Sequence, residues 1–205
     1  MSGTQRPRTR LDPEVRREQI VEAAERVFHG RDPSDVTFEE IAEAAGVSRA
    51  LVYNYFGDKG GLVAAVYLRS LQRLDEELVS TVDPGSSDAD RLRAVVRCYL
   101  RFARSNPAAW RVIGSTSASE HPEVQAARQE RFDQLASNWG GTVQARTLAR
   151  AVVAFLEAAT LDWIEHRDVD LDRMADLLFT SLWTGLSAVE DAEAHIPRGA
   201  TASLG

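Results

Sequence analysis

The stretch from Thr37 to Phe56, TFEEIAEAAGVSRALVYNYF, leaves its backbone few choices. Thr37 and Glu40 stand at the spacing at which each side chain reaches the other's free amide, so a helix begins there. It ends at Gly46, where a left-handed residue turns the chain without a side-chain clash. Ser48 then caps a second short helix that runs to about Phe56. Ile41, Ala42, Val47, Val52 and Phe56 fall where the two helices must touch, and the small Ala42 permits a close crossing. Two capped helices meeting at a glycine bend form a helix-turn-helix.

Such a unit leaves one face of its second helix open. Here that face carries Ser48, Arg49, Ala50, Tyr53 and Asn54, which are short or hydrogen-bonding residues suited to a major groove. Arg49 reaches guanine O6 and N7, and Ala50 and Leu51 offer methyl contact to thymine. Tyr53 and Tyr55 present hydroxyls to phosphates, and Lys59 presents a point charge. Lys59 is the single lysine among 24 basic residues.

Helical signals fill the rest of the chain. Residues 1 to 11, with Arg6, Arg8 and Arg10 among small and polar neighbours, read as a disordered basic arm. Asp12, Pro13 and Glu14 start a first helix extending to about His29. A long fourth helix spans about 59 to 81, and Asp83 to Ser87 is a loop. Further helices are expected at about 88 to 105, 107 to 115, 121 to 139, 142 to 167 and 170 to 190, with a disordered tail over 193 to 205. No segment sustains the alternation of a strand. The expected fold is all-α with about nine helices: a three-helix DNA-binding domain over 12 to 57 and an all-helical ligand-binding and dimerisation domain over 58 to 192.

Composition narrows the function. A formal charge of −7 excludes coating nucleic acid by bulk positive charge, so any DNA contact must come from a local patch. The single Cys98 precludes an intrachain disulfide and a cysteine zinc cluster. The N-terminus lacks the apolar core of a signal peptide. The apolar run Leu148 to Ile164 carries Arg150, Glu157 and Asp162, each costing about 2.5 to 3.5 kcal/mol at a bilayer centre, so it reads as a buried helix and no membrane partner is expected. The chain is expected in the cytoplasm, associated with the nucleoid.

The segments 147 to 166 and 171 to 190 are apolar nearly all round and need partners on more than one side. A sensor pocket requires apolar walls and a few polar groups. Tyr67, Cys98, Phe102, Trp110, Ile113, Phe132, Leu135 and Thr160 are the candidates, together with Glu157, which requires an arginine, a ligand group or an exposed edge.

Residues 13 to 81 closely resemble the DNA-binding domain of the tetracycline-repressor (TetR) family. The resemblance rests on Thr37 to Ala42, Ala45 to Ser48, the run Leu51-Val52-Tyr53-Asn54-Tyr55-Phe56, and Asp58-Lys59. It implies phosphate contacts from Thr37, Tyr53, Tyr55 and Lys59, base contacts around Arg49 and Ala50, and a palindromic operator of double-stranded DNA read by a homodimer. It also implies a four-helix bundle between subunits built from the last two large helices. Val152, Phe155, Ala159, Trp163, Leu178, Leu182, Trp183 and Leu186 are the candidate dimer residues. One departure stands out: where family members commonly place a glutamate after the lysine, Gly60-Gly61 opens the fourth helix at about 1 kcal/mol of propensity each, which predicts a fraying first turn.

No phosphate loop or nucleophile elbow is present, and no cofactor is implied. Asp162 and His166 lie one helical turn apart without a third ligand, so a surface ion pair is expected rather than a metal site. The expected function is therefore that of a transcriptional regulator, a repressor released from its operator by a small apolar or amphipathic effector. The alternative is a helical dimeric or architectural regulator acting without a ligand.

Overall fold

A computed structural model describes residues 12–29, 31–114, 118, 120–166 and 168–195. Among these residues nine helices have defined bounds: α1 (Pro13–Val27), α2 (Phe38–Ala45), α3 (Arg49–Phe56), α4 (Lys59–Thr81), α5 (Asp88–Ser105), α6 (Pro107–Ile113), α7 (Pro122–Asn138), α8 (Val143–His166) and α9 (Leu171–His195). The described residues contain no strand. The expected basic arm and most of the tail lie outside them. Helix α9 continues to His195, past the expected end near 190.

The helix starts follow from local chemistry. Asp12 accepts from the amide of Glu14 at 2.8 Å, with Pro13 in the first turn of α1. Both halves of the Thr37–Glu40 capping box are made. Gly46 takes the left-handed conformation at φ 65°, and the Ser48 hydroxyl accepts from the amide of Leu51 at 3.2 Å. The loop before α2 holds a single 3₁₀ turn, Pro33–Asp35, capped by Asp32.

Helices α1, α2 and α3 enclose Ile20, Ala24, Phe28, Ile41, Ala42, Val52 and Phe56, and this small core runs into that of the larger domain through Leu62 to Tyr67 of α4. In the larger domain α5 packs against α4, α8 and α9, and α7 lies across α4 and α8. Leu135, Ala136, Ala145 and Ala149 form a separate small cluster at the α7–α8 turn.

The first turn of α4 is helical through both glycines. The Asp58 carboxylate accepts from the amide of Gly61 at 2.9 Å. A β-carbon at position 61 would lie 2.2 Å from the carbonyl oxygen of Phe56, so glycine is required there by close approach.

Candidate functional site

The exposed face of α3 brings together Ser48, Arg49, Ala50, Tyr53 and Asn54, with Thr37 exposed beside them at the start of α2. Leu51 and Tyr55 are half-buried, and Tyr55 leans on the core. Tyr53 is 42% exposed and its ring stands edge-on to Phe38 at 4.5 Å, which fixes where its hydroxyl points.

Arg49 is held from two sides. Its guanidinium donates to the Tyr53 hydroxyl at 3.0 Å and forms an ion pair with Glu39 of α2. The Tyr53 hydroxyl and then the Glu39 carboxylate push its pKa above the ordinary arginine value. Glu39 was not among the residues expected at this surface. No local rule pairs the first turn of one helix with the first turn of the next.

Lys59 donates to the carbonyl of Ser34 in the 3₁₀ turn, so the start of α4 is tied to the loop ahead of α2. Glu40, which closes the capping box, also pairs with Arg31 at 2.7 Å. That guanidinium, with the amide and hydroxyl of Thr37, holds the Glu40 carboxyl down to about 2.

The second place of interest lies inside the larger domain, where α4, α5, α7 and α8 meet. Arg128 of α7 grips Glu157 of α8 with two nitrogens, at 2.8 and 3.2 Å, and donates to the hydroxyl of Tyr67 of α4 at 2.8 Å. Three residues on, Arg131 donates to the Tyr99 hydroxyl of α5 at 3.1 Å and pairs with Asp75 of α4. Glu157 thus has an arginine partner. Burial raises the pKa of both tyrosines and of Asp75 above their ordinary values. Arg128, Arg131, Tyr99 and Asp75 escaped the sequence reading because their partners are 29 or more residues distant.

The expected pocket residues divide on inspection. Tyr67, Phe102, Trp110, Ile113 and Thr160 are fully buried in one core, with the Trp110 ring edge-on to Tyr99 at 5.5 Å and to Phe102 at 6.2 Å. Cys98 is buried with them, but its neighbours include Glu77 and Thr81 near the end of α4, and burial and then the Glu77 charge push its thiol pKa up. Phe132 lies under the guanidiniums of Arg128 and Arg150, at 5.6 and 5.5 Å. Leu135 belongs to the separate cluster at the α7–α8 turn, which removes it from this interior. A groove of about 590 Å³ runs between α4 and α7, lined by Leu68, Leu71, Val79 and Ala127 with Asp75 and Arg131.

The expected dimer residues divide between the protomer's own core and its open side. Val152, Trp163, Leu178 and Leu182 point into the protomer's own core, because α5 packs under both α8 and α9. Ala159, Trp183 and Leu186 are half-buried. The open side carries the expected Phe155 (38% exposed) with Ala151, Ala154 and Ala158 of α8, and Leu177 (57% exposed), Ser181 and Gly185 of α9. Asp162 and His166 make a surface pair at 3.3 Å, and no group of three or more metal-ligating side chains occurs among the described residues. No helix among them is long and apolar enough to cross a membrane.

A capped helix-turn-helix with an open recognition face, continuous through one long helix with an all-helical body, defines a DNA-binding transcriptional regulator. Comparison with known proteins places it within that class. The chain belongs to the TetR family: residues 20–66 match the family model described as "Bacterial regulatory proteins, tetR family", and residues 89–185 match "Tetracyclin repressor-like, C-terminal domain". The family consists of transcriptional regulators rather than enzymes.

The chain is 35% identical to an uncharacterised HTH-type transcriptional regulator of Mycobacterium tuberculosis over 150 residues, 70% of this chain and 73% of that protein. It is 28% identical to the HTH-type transcriptional activator FasR of Mycolicibacterium smegmatis, over 92% of this chain and 90% of that protein. Its fold matches a TetR-like regulator from Rhodococcus sp. RHA1 with a TM-score of 0.66 at 28% identity, covering 87% of this chain and 99% of that one. It also matches the regulator FadR of Bacillus subtilis in complex with stearoyl-CoA, with a TM-score of 0.65 at 14% identity over 80% of this chain and 96% of that one.

Proposed function

We propose that the chain acts as a homodimeric repressor that leaves a palindromic operator when a small molecule enters the α4–α8 interior. The observation that carries this reading is the continuity of α4. The same helix begins at Lys59, beside the recognition face, and carries Tyr67 and Asp75 into the buried arginine network.

Base readout falls to Arg49 and Ala50, with Ser48, Leu51 and Asn54 beside them on α3, and phosphate contact to Thr37, Tyr53, Tyr55 and Lys59. Arg49 is presented to the groove already oriented by Tyr53 and Glu39, which lowers the ordering cost of a bidentate guanine contact. Two protomers meet through the small-residue faces of α8 and α9, where Ala151, Ala154, Ala158 and Gly185 let helices approach closely around Phe155 and Leu177. That pairing sets two α3 helices on one duplex, as half-site recognition requires.

The test is selection of bound sequences from random duplex DNA, followed by titration of the selected site by fluorescence anisotropy at several salt concentrations. A two-fold symmetric site is expected, bound by a dimer with a log–log salt slope set by several phosphate contacts. Arg49→Ala is expected to weaken the selected site about 5- to 100-fold while leaving non-specific binding nearly unchanged. An asymmetric site, or equal loss on selected and unrelated DNA, would refute the assignment.

A further inference from the structure

The interior where α5, α6 and α8 meet contains two hydrogen-bond donors that the protein itself leaves unused. The indole nitrogen of Trp110 and the hydroxyl of Thr160 are both fully buried, and neither has a hydrogen-bond partner among the described residues. The same residue types are satisfied elsewhere in this chain. Trp163 donates its indole N–H to the carbonyl of Val169 at 2.7 Å. Ser70, Thr147 and Ser181, all within helices, donate back to the carbonyls of Val66, Val143 and Leu177 at 2.8, 3.1 and 2.9 Å. That outlet is open to any helical hydroxyl, and the Thr160 hydroxyl does not use it.

The two groups lie on facing stretches of chain. Gly114, which ends α6, sits so close to α8 that a β-carbon there would meet Leu161 at 2.9 Å, and Leu161 follows Thr160 directly. Trp110 stands one turn before Gly114. Its ring leans on Tyr99, whose hydroxyl accepts from Arg131 and so keeps its own proton to give. One turn before Thr160 is Glu157, held by Arg128.

Charge and hydrogen bonding then give different answers about what is missing. The charges of this region are already matched, Arg128 by Glu157 and Arg131 by Asp75. An anion or cation entering would either break one of those pairs or stay unpaired itself, and each leaves a charge alone in a low-dielectric interior. The Trp110 indole N–H can only donate, and the Thr160 hydroxyl donates as readily as it accepts, so an acceptor is the one group that suits both.

We propose that the effector is an uncharged molecule with an apolar body and a carbonyl-type acceptor oxygen, which Trp110 and Thr160 bind as donors. This rests on the reading of the interior as the effector site and adds the chemical class. Such a ligand satisfies both orphan donors, disturbs neither ion pair, and buries its apolar part against Phe102 and Ile113.

The test uses the full-length protein and a set of probes matched in size: acetophenone, benzyl alcohol, benzoate, benzylamine and toluene. Binding is read as the shift in melting temperature and, separately, as release of labelled operator. Acetophenone is expected to give the largest shift, toluene a weaker one, and benzoate and benzylamine none. Thr160→Val keeps the shape and removes the hydroxyl. In the free protein it is expected to melt at or above the wild-type temperature, because an unsatisfied buried donor has been removed, and to bind acetophenone about 2- to 10-fold more weakly. Trp110→Phe is expected to melt lower through lost packing and to show the same weakening when each melt is referred to its own free protein.

Stronger binding of benzoate or benzylamine, unchanged acetophenone affinity in Thr160→Val, a lower melting temperature of free Thr160→Val, or no response to any probe would overturn the proposal. These outcomes leave operator binding intact. Failure of the regulator reading shows instead as absence of a selected DNA site, whatever the probes do.

Discussion

Replacing Gly61 by alanine sets two effects of opposite sign against each other. Helix propensity alone favours the substitution, since glycine in a helix costs about 1 kcal/mol relative to alanine. The structure opposes it, because the new β-carbon falls 2.2 Å from the carbonyl oxygen of Phe56. That oxygen is fixed, being the acceptor for the amide of Asp58 at 2.8 Å in the turn between α3 and α4. Relief therefore demands a backbone shift, which puts the cost at the upper end of the range for overpacking, about 2 to 3 kcal/mol.

The net expectation is a loss of about 1 to 2 kcal/mol, which for a chain of this length lowers the melting temperature by about 2 to 8 °C. Gly60→Ala is the control. There the β-carbon meets no backbone, only the Asp58 Oδ1 that caps α4, at 3.1 Å, and the His121 ring at 4.0 Å. The side chain must give slightly against a gain in propensity, so the melting temperature is expected to change less than in Gly61→Ala. Thermal unfolding followed by circular dichroism on both variants decides the matter. A Gly61→Ala protein as stable as the wild type would mean that the first turn of α4 is open in solution, as its two glycines suggest when read without the structure.

Two further predictions follow from the charged groups. Glu40 has its pKa depressed to about 2 by Arg31 and Thr37, so its contribution to stability is complete above the ordinary value near 4.5 and is lost as pH falls from there towards about 2. Melting temperatures of wild type and Glu40→Gln should therefore converge across that window, and a constant difference would count against the capping box as the cause. Arg69 of α4 holds three carboxylates of α1, Glu18 at 2.7 Å, Glu22 at 3.0 Å and Glu25 at 3.2 Å. Arg69→Ala leaves Glu18 and Glu22 unneutralised and Glu25 to Arg73 alone, and is expected to cost about 1 to 3 kcal/mol at low salt and clearly less at high salt, read by thermal melts at both. A salt-independent difference would assign the loss to packing alone.

The N-terminal half was legible because its signals are local. A capping box, a left-handed glycine and a serine cap act within four residues, and the structure places Thr37, Gly46 and Ser48 in those roles. The helical bounds of the C-terminal half were equally legible from caps and breaks, Ser87 and Pro107 among them. Its chemistry was not. Arg128 and Arg131 sit on α7, which buries only Val124 and Ala136, and nothing in that helix's own sequence names their partners. Their partners Tyr67, Tyr99 and Glu157 become neighbours only after four helices assemble. Which sides of α8 and α9 stay open was not legible for a related reason: a helix apolar all round does not say which side meets its own domain, and α5 takes Val152 and Leu178.

A ligand acting through this interior must bind one state of the protein better than the other by an amount that can be bounded. Shifting a two-state equilibrium from 1:99 to 99:1 takes about 5.5 kcal/mol of differential affinity. Two uncharged hydrogen bonds, from Trp110 and Thr160, supply about 1 to 3 kcal/mol together. The remaining 2.5 kcal/mol or more, at roughly 25 cal/mol per Å², corresponds to about 100 Å² or more of apolar surface buried in one state only. Residues able to provide it, Phe102, Trp110 and Ile113, lie on α5 and α6. The Asn106 side chain at the junction of those helices accepts from Arg73 of α4, which also pairs with Glu25 of α1 at 2.7 Å. On the proposed reading, movement of α6 to admit an apolar body would pull on the same arginine that ties α4 to α1, with the acceptor group selecting the ligand and its apolar body driving the change.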